Sequence, residues 1–179
     1  MFVMQREQSD GIPEFQEVYR HVFPIIYRVV LRIVNNEDAA EELVQEAFIK
    51  YYEHRERLAD VAQAKYWLIR VSKNMALNYQ KRKGREYRAY EKAFFEPKRA
   101  QETGETALLK QDSAQQVQDV LQQLPEKLRT VLVLKEYGGL SYKEIGAVMG
   151  IREGNVKVRV FRARERIAKL MEEGDVYIP

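Results

Sequence analysis

Residues 140–170 read "LSYKEIGAVMGIREGNVKVRVFRARERIAKL", and the way this stretch divides decides the fold. Ser141 followed three residues later by Glu144 is the pattern of a capping box, in which each side chain accepts from the other residue's otherwise unpaired backbone N–H. Ile145, Val148 and Met149 then form an apolar stripe, and Gly150 supplies a left-handed exit. Beyond the turn, at about 100° per residue, Val156, Val160, Ala163, Ile167 and Leu170 fall on one narrow arc of a second helix. Lys157 and Arg164 flank that arc on one side and Arg159 and Arg166 on the other, while Val158, Phe161, Arg162, Glu165 and Lys169 face outward. A capped helix, a tight turn and a helix that is buried along one stripe and basic elsewhere make a helix-turn-helix. Such a second helix suits the DNA major groove, with flanking cations on phosphates and outward side chains on base edges or thymine methyls. A basic face alone is more often just solvated; its coupling to the capped helix and turn favours DNA.

The rest of the chain bounds what this motif can belong to. Its 179 residues, 45% of them hydrophobic, suit one ordinary domain or two small ones. Lys and Arg number 30 against 27 Asp and Glu, so the net charge of +3 names no partner. With no cysteine and two isolated histidines, His21 and His54, neither a disulfide frame nor a metal site is expected, and no cofactor is implied. The most apolar run, "VFPIIYRVVLRIV" (22–34), is short for a membrane span and carries Arg28 and Arg32, and the first residues lack the features of a signal peptide. The expectation is a soluble, cytoplasmic chain without membrane insertion.

Periodicity predicts an all-α fold: two small helical domains, 12–84 and 113–173, joined by a flexible linker over 85–112. A first helix from Glu14 to Val34 should bend or restart at Pro24. The next, "EDAAEELVQEAFIKYYEH" (37–54), sets Ala40, Leu43, Val44, Ala47, Phe48 and Tyr51 on one side and Glu41, Glu42, Gln45 and Glu46 toward the other. After a connector, a third helix from about Lys65 aligns Leu68, Val71, Met75 and Tyr79 for packing, with Arg70, Lys73, Asn74, Leu77 and Lys81 opposite. Its charge continues through Arg82, Lys83, Arg85 and Arg88. Pro97 and Gly104 mark the linker, and Tyr87, Tyr90, Phe94 and Phe95 are expected to dock on a neighbour and order it in part. The second half starts at Ser113, with Val117, Val120, Leu121 and Leu124 on one stripe. Pro125 opens a further helix that Gly138 and Gly139 end.

A cationic face with an amide in its middle, around Asn74, suits a nucleic-acid backbone with some base reading; Tyr66, Trp67 and Tyr79 read as packing. The acidic face lacks an ExxH spacing and a facing carboxylate motif, so an enzyme is not expected. A solvated face is its plainest reading, but between two basic helices it also fits a basic protein surface. A free-standing helix-turn-helix repressor or activator, its first half a dimerisation or effector domain, stays open. An RNA-binding or scaffold protein would leave the acidic helix unexplained.

Taken together, "AAEELVQEAFIKYY", "YWLIRVSKNMALNYQKRK" and "LPEKLRTVLVLKEYGGLSYKEIGAVMGI...GNVKVRVFRAR", in this order with a linker between, resemble the extracytoplasmic-function (ECF) sigma factors of bacterial RNA polymerase. The resemblance covers nearly everything from Phe15 to Leu170. It implies a promoter-specificity subunit that binds core RNA polymerase through its clamp and flap, recognises minus 35 and minus 10 promoter elements, assists strand opening and is controlled by an anti-sigma protein. Glu42, Leu43, Gln45, Glu46 and Phe48 match the helix that engages the polymerase clamp. Asn74 matches an amide of the promoter-opening helix, with Arg70, Lys73, Lys81 and Arg82 as backbone contacts. Lys157, Val158, Arg159, Phe161 and Arg162 match minus 35 reading positions, with Arg164 as a phosphate contact. Asn155 and Val158 stand where the family often has Thr and Ser, and "LAD" with Ala64 replaces a Phe-Arg-Gly turn and a second aromatic in the loop before the opening helix.

Overall fold

The computed structural model describes residues 13–94 and 109–173. Among them are seven α-helices, one short 3₁₀ turn and no strand. The linker residues Phe95, Pro97 and Gly104 and both chain ends lie outside the described residues.

Helix α1 (Phe15–Val34) runs through Pro24 without a break. The restart expected there is absent, and the helix ends only where Asn35 turns left-handed at φ 53°. Asn36 then caps α2 (Glu37–His54), accepting from the Ala39 N–H at 2.7 Å. A 3₁₀ turn, Arg55–Arg57, leads to α3 (Val61–Phe94). This helix begins four residues before Lys65, because Asp60 accepts from the Gln63 N–H at 2.7 Å and so supplies a cap. It also continues past Gly84 to Phe94, where the linker was expected. Tyr87 and Tyr90 ride on this extension at 59% and 51% exposure, not docked into a core.

Val18, Val22, Ile26, Val29, Val30 and Ile33 of α1 are buried against α2 and α3. On α3 the buried stripe is Ala64, Leu68, Ile69, Ser72, Lys73 and Ala76, while Val71, Met75 and Tyr79 are only half-buried. The helix is thus rotated from the arc its large apolar residues suggest. Small side chains at positions 64, 72 and 76 let α1 approach closely, and Ser72 satisfies its buried hydroxyl on the Leu68 carbonyl at 2.7 Å.

The second lobe comprises α4 (Leu109–Gln123), α5 (Glu126–Glu136), α6 (Tyr142–Met149) and α7 (Glu153–Glu173). Helix α4 begins four residues ahead of the expected Ser113. Leu121, Leu124, Ile145, Val148, Val156, Val160 and Ala163 are buried in this lobe, and Ile167 packs against them half-buried. Helix α5 packs on α6 and α7 and also on α1 of the first lobe. Arg32 Nη1 donates to Gln118 Oε1 at 2.8 Å across the same junction.

The turn between α6 and α7 is tight enough to demand a glycine inside a helix. The Gly146 carbonyl accepts from the Ile151 N–H at 2.9 Å, and a Cβ added at Gly146 would lie 2.7 Å from the Ile151 carbonyl oxygen. Alanine normally improves a helix interior; here the backbone contact reverses the sign. Gly146→Ala is expected to lower stability by about 1–3 kcal/mol through overpacking, read as an earlier urea midpoint at unchanged slope.

Candidate nucleic-acid interface

The helix-turn-helix is built as its sequence specifies. Ser141 Oγ accepts from the Glu144 N–H at 3.2 Å, and the Ser141 N–H donates to Glu144 Oε2 at 2.7 Å. The Ser141 hydroxyl also donates to the same carboxylate oxygen at 2.6 Å. These two bonds from Ser141 hold the Glu144 carboxyl below the usual carboxylate range, and the charges of Lys65 and Lys135 add to them. Gly150 ends α6 at φ 67°.

Helix α7 buries Val156, Val160 and Ala163 and holds Ile167 half-buried on the same side. Asn155, Lys157, Val158, Phe161, Arg162 and Arg164 are exposed, and Arg159 is half-buried. Val158 and Phe161 stand 47% and 63% exposed, which isolated apolar side chains on a cationic helix do not owe to packing. Two of the cations are already engaged: Lys157 pairs with Glu153 at 2.9 Å, and Arg164 with Glu136 of α5 at 2.7 Å. Such exposed pairs contribute little, so a phosphate can take the place of either carboxylate.

On α3, Arg70, Asn74, Lys81 and Arg82 are exposed. Lys73 is not; it is 6% exposed, and its ammonium donates to the Val148 carbonyl at 3.1 Å and to Asn74 Oδ1. Burial, followed by the repulsion of Arg70 and Lys81, lowers its pKa. Trp67 stacks on His54 with ring centroids 5.5 Å apart, and Tyr79 lies half-buried beneath Arg82.

Helix α2 turns Glu41, Glu42, Gln45 and Glu46 to solvent and leaves Leu43 half-buried. Phe48 is 4% exposed, its ring among Phe15, Tyr19, Phe23 and Tyr51 at centroid separations from 5.0 to 6.3 Å. It is the floor of an apolar groove whose rim includes Tyr19, Gln45, Ile49 and Tyr52. Sequence reading overlooked this groove. The signal was "FIKYY", where Ile49 and Tyr52 fall on the polar side of α2 and emerge 62% and 55% exposed. Among the described residues no group of His, Asp or Glu could hold a metal ion, and no helix is long and apolar enough to cross a membrane.

A helix-turn-helix with an exposed cationic second helix, a further cationic helix bearing an exposed amide and a helix with an acidic outer face have the architecture of a DNA-binding transcription factor. Residues 18–86 match Sigma-70 region 2, and residues 114–167 match Sigma-70, region 4. The chain is 37% identical to the RNA polymerase sigma-H factor of Pseudomonas aeruginosa over 155 residues, spanning 82% of this chain and 80% of that one. It is 35% identical to the ECF RNA polymerase sigma-E factor of Escherichia coli K12 over 147 residues, 78% and 76% of the two chains. The sigma factor RpoE of Bartonella quintana, solved in complex with the anti-sigma factor NepR, superposes with a TM-score of 0.69 at 25% identity, covering 88% of this chain and 96% of that one. The chain belongs to the ECF sigma factor family, the promoter-specificity subunits of RNA polymerase in transcription initiation. Sigma factors recognise DNA and are not catalytic subunits.

The capping box gives this site a measurable stability. Ser141→Ala is expected to cost about 1 kcal/mol. Because the Glu144 pKa is depressed on folding, its contribution is complete above the unfolded carboxylate range and is lost as pH falls through the lower folded value. Glu144→Gln should therefore flatten the acid side of the stability profile in thermal melts between neutral and acidic pH.

Proposed function

We propose that α7 reads the minus 35 element in the major groove while the Asn74 face of α3 holds unpaired bases of the minus 10 element. The observation that carries the first half is the exposure of Val158 and Phe161 beside Arg162 on a helix whose other side is locked into the fold. Apolar contact selects thymine methyls, and an arginine fork fits guanine. Asn155 offers an amide to the same surface; Lys157, Arg159 and Arg164 hold phosphates and fix register without reading sequence. On α3, Arg70, Lys73, Lys81 and Arg82 follow the backbone of the opened strand, whose bases an amide at Asn74 can hydrogen-bond.

Glu42, Leu43, Gln45 and Glu46 dock on the clamp of the largest polymerase subunit, with Phe48 supporting them from below. The apolar groove at Ile49 and Tyr52 extends this patch, so that the interface has an apolar centre and a charged rim. Region 4 also meets the polymerase flap. Polymerase supplies the chemistry, and this chain has no enzymatic activity of its own. An anti-sigma protein covers the same surfaces, a reading supported by the Bartonella quintana relative solved with one. The chain works in the cytoplasm, where core polymerase and promoters are found.

Mixed with core polymerase, the chain should form a stable complex and direct promoter-dependent transcripts. Glu46→Lys or Gln45→Ala should weaken assembly in a titration against core enzyme. A chain that binds palindromic duplex tightly as a dimer and ignores polymerase would instead be a repressor.

The holoenzyme's contacts should separate by salt and sequence. Arg164→Ala is expected to weaken all promoters alike and to reduce the salt slope of binding by about 1, whereas Phe161→Ala should cost about 1–3 kcal/mol only where the minus 35 sequence matches. Anisotropy titrations of the holoenzyme at several salt concentrations, on matched and mismatched promoters, distinguish the two.

A further inference from the structure

Three of the large apolar side chains exposed among the described residues, Tyr19, Ile49 and Tyr52, meet around the groove floored by Phe48. The groove has a volume of about 490 Å³, and most of its lining is aromatic. Phe15 stands 6.0 Å from Tyr19 and 5.7 Å from Tyr52 between ring centres, and Tyr19 stands 5.0 Å from Phe48. The Arg55 guanidinium lies 3.7 Å from the Tyr52 ring centre and donates to the Tyr52 carbonyl at 3.1 Å, which holds that wall in place. Gln45 and Glu53 bring an amide and a carboxylate to the rim. A concave, largely apolar site edged by a few polar groups has the form of a binding site, and apolar side chains gathered in one exposed patch, unlike scattered ones, call for a partner.

The chain itself carries a segment suited to this groove. Phe15 is both a wall of the groove and the first residue of α1, so the residues ahead of α1 join the fold at the groove itself. Residues 1–12 read "MFVMQREQSDGI". Phe2, Val3 and Met4 are consecutive apolar residues, and residues 5–11 are all polar or glycine. Ten residues separate Met4 from Phe15, and a stretch of that length spans up to about 35 Å, several times the ring spacings across the groove. A tether of this kind sets the effective concentration of the apolar trio in the millimolar range, so a modest affinity is enough to fill the site.

We propose that Phe2, Val3 and Met4 fill the Phe48 groove in the free chain and are displaced when the α2 face docks on core polymerase, so that the segment is a built-in competitor for polymerase. Occupation of the groove stands on the groove and the segment alone; the competition rests on the proposed docking of α2. Gln45 belongs both to that docking face and to the groove rim, and Ile49 and Tyr52 cannot be covered by the segment and by polymerase at once. A groove filled about nine-tenths of the time lowers the apparent affinity for polymerase about tenfold.

The chain has no cysteine, so a Gln5→Cys variant carries a single thiol beside the apolar trio. With a nitroxide attached there, the free chain should lose the NMR signals of the Ile49 methyls and the Tyr52 ring while those of Val158 persist, and reducing the nitroxide should restore them. A Phe2→Ser/Val3→Ser/Met4→Ser variant carrying the same label should keep those signals, and without the label should bind core polymerase about tenfold more tightly than the parent chain. Ile49 and Tyr52 signals unaffected by the nitroxide overturn occupation of the groove. So does equal broadening in an unlabelled chain mixed with a spin-labelled one, since the occupant is then a second copy. Broadening together with an unchanged polymerase affinity in the serine variant overturns the competition. Should neither chain bind polymerase, the docking reading fails separately, and the nitroxide effect decides occupation alone: broadening supports it and its absence overturns it.

Discussion

Six consecutive side chains of α5, Arg129 to Leu134, are buried, and a helical stretch with no face left for water has to be covered all round. Helices α6 and α7 supply one part of that cover and α1 supplies another. The arc of Val156, Val160 and Ala163 is committed to this packing, which leaves Val158, Phe161 and Arg162 no direction but outward. The orientation of the surface proposed to read DNA is thus a consequence of where α5 is buried. The same burial joins the two lobes, because the side of α5 that its own lobe leaves bare is closed by α1.

Charge is divided along different axes from the packing. The densest run of exposed carboxylates lies on α2, and the densest runs of cations lie on α3 and α7. A net charge of +3 conceals this segregation entirely. On the roles proposed above, carboxylates crowded on α3 or α7 would weaken binding to phosphates and cations crowded on α2 would weaken docking to a basic protein surface, so separate rods suit one small chain to two partners. Some carboxylates do stand among those cations: Glu136 sits against Arg164, Glu153 against Lys157, and Glu86 beside Arg82 and Lys83.

The helix-turn-helix was fully legible in the sequence because its signals are local: Ser141 and Glu144 cap, Gly150 exits, and the apolar arc of α7 repeats with the helical period. The extent of α2 was legible for the same reason, and so was its division into a packed and an acidic side. What the sequence hid depends on distant partners. Small residues at 64, 72 and 76 define the seam of α3, but the eye follows Val71, Met75 and Tyr79, which are larger and only half-buried. Gly84 looked like a boundary, although a single glycine costs a helix only about 1 kcal/mol, and α3 continues past it. The union of the lobes left one overlooked trace, "TVLVL" at 130–134, a helical stretch with no polar face. Lys73 could not have been placed by pattern at all, since its partner is a backbone carbonyl 75 positions away.

That carbonyl also explains how a buried lysine can hold a junction without sealing it. Both partners of the Lys73 ammonium, the Val148 carbonyl and the Asn74 amide oxygen, are neutral, so the contact replaces water's hydrogen bonds without offsetting the loss of water around a full charge. Burial accordingly disfavours the protonated form, and the charges of Arg70 and Lys81 add to that. A carboxylate in place of the carbonyl would make a charge-assisted bond roughly twice as strong and would compete directly with phosphate. A neutral acceptor keeps Lys73 satisfied at the junction while leaving its strongest available interaction unmade.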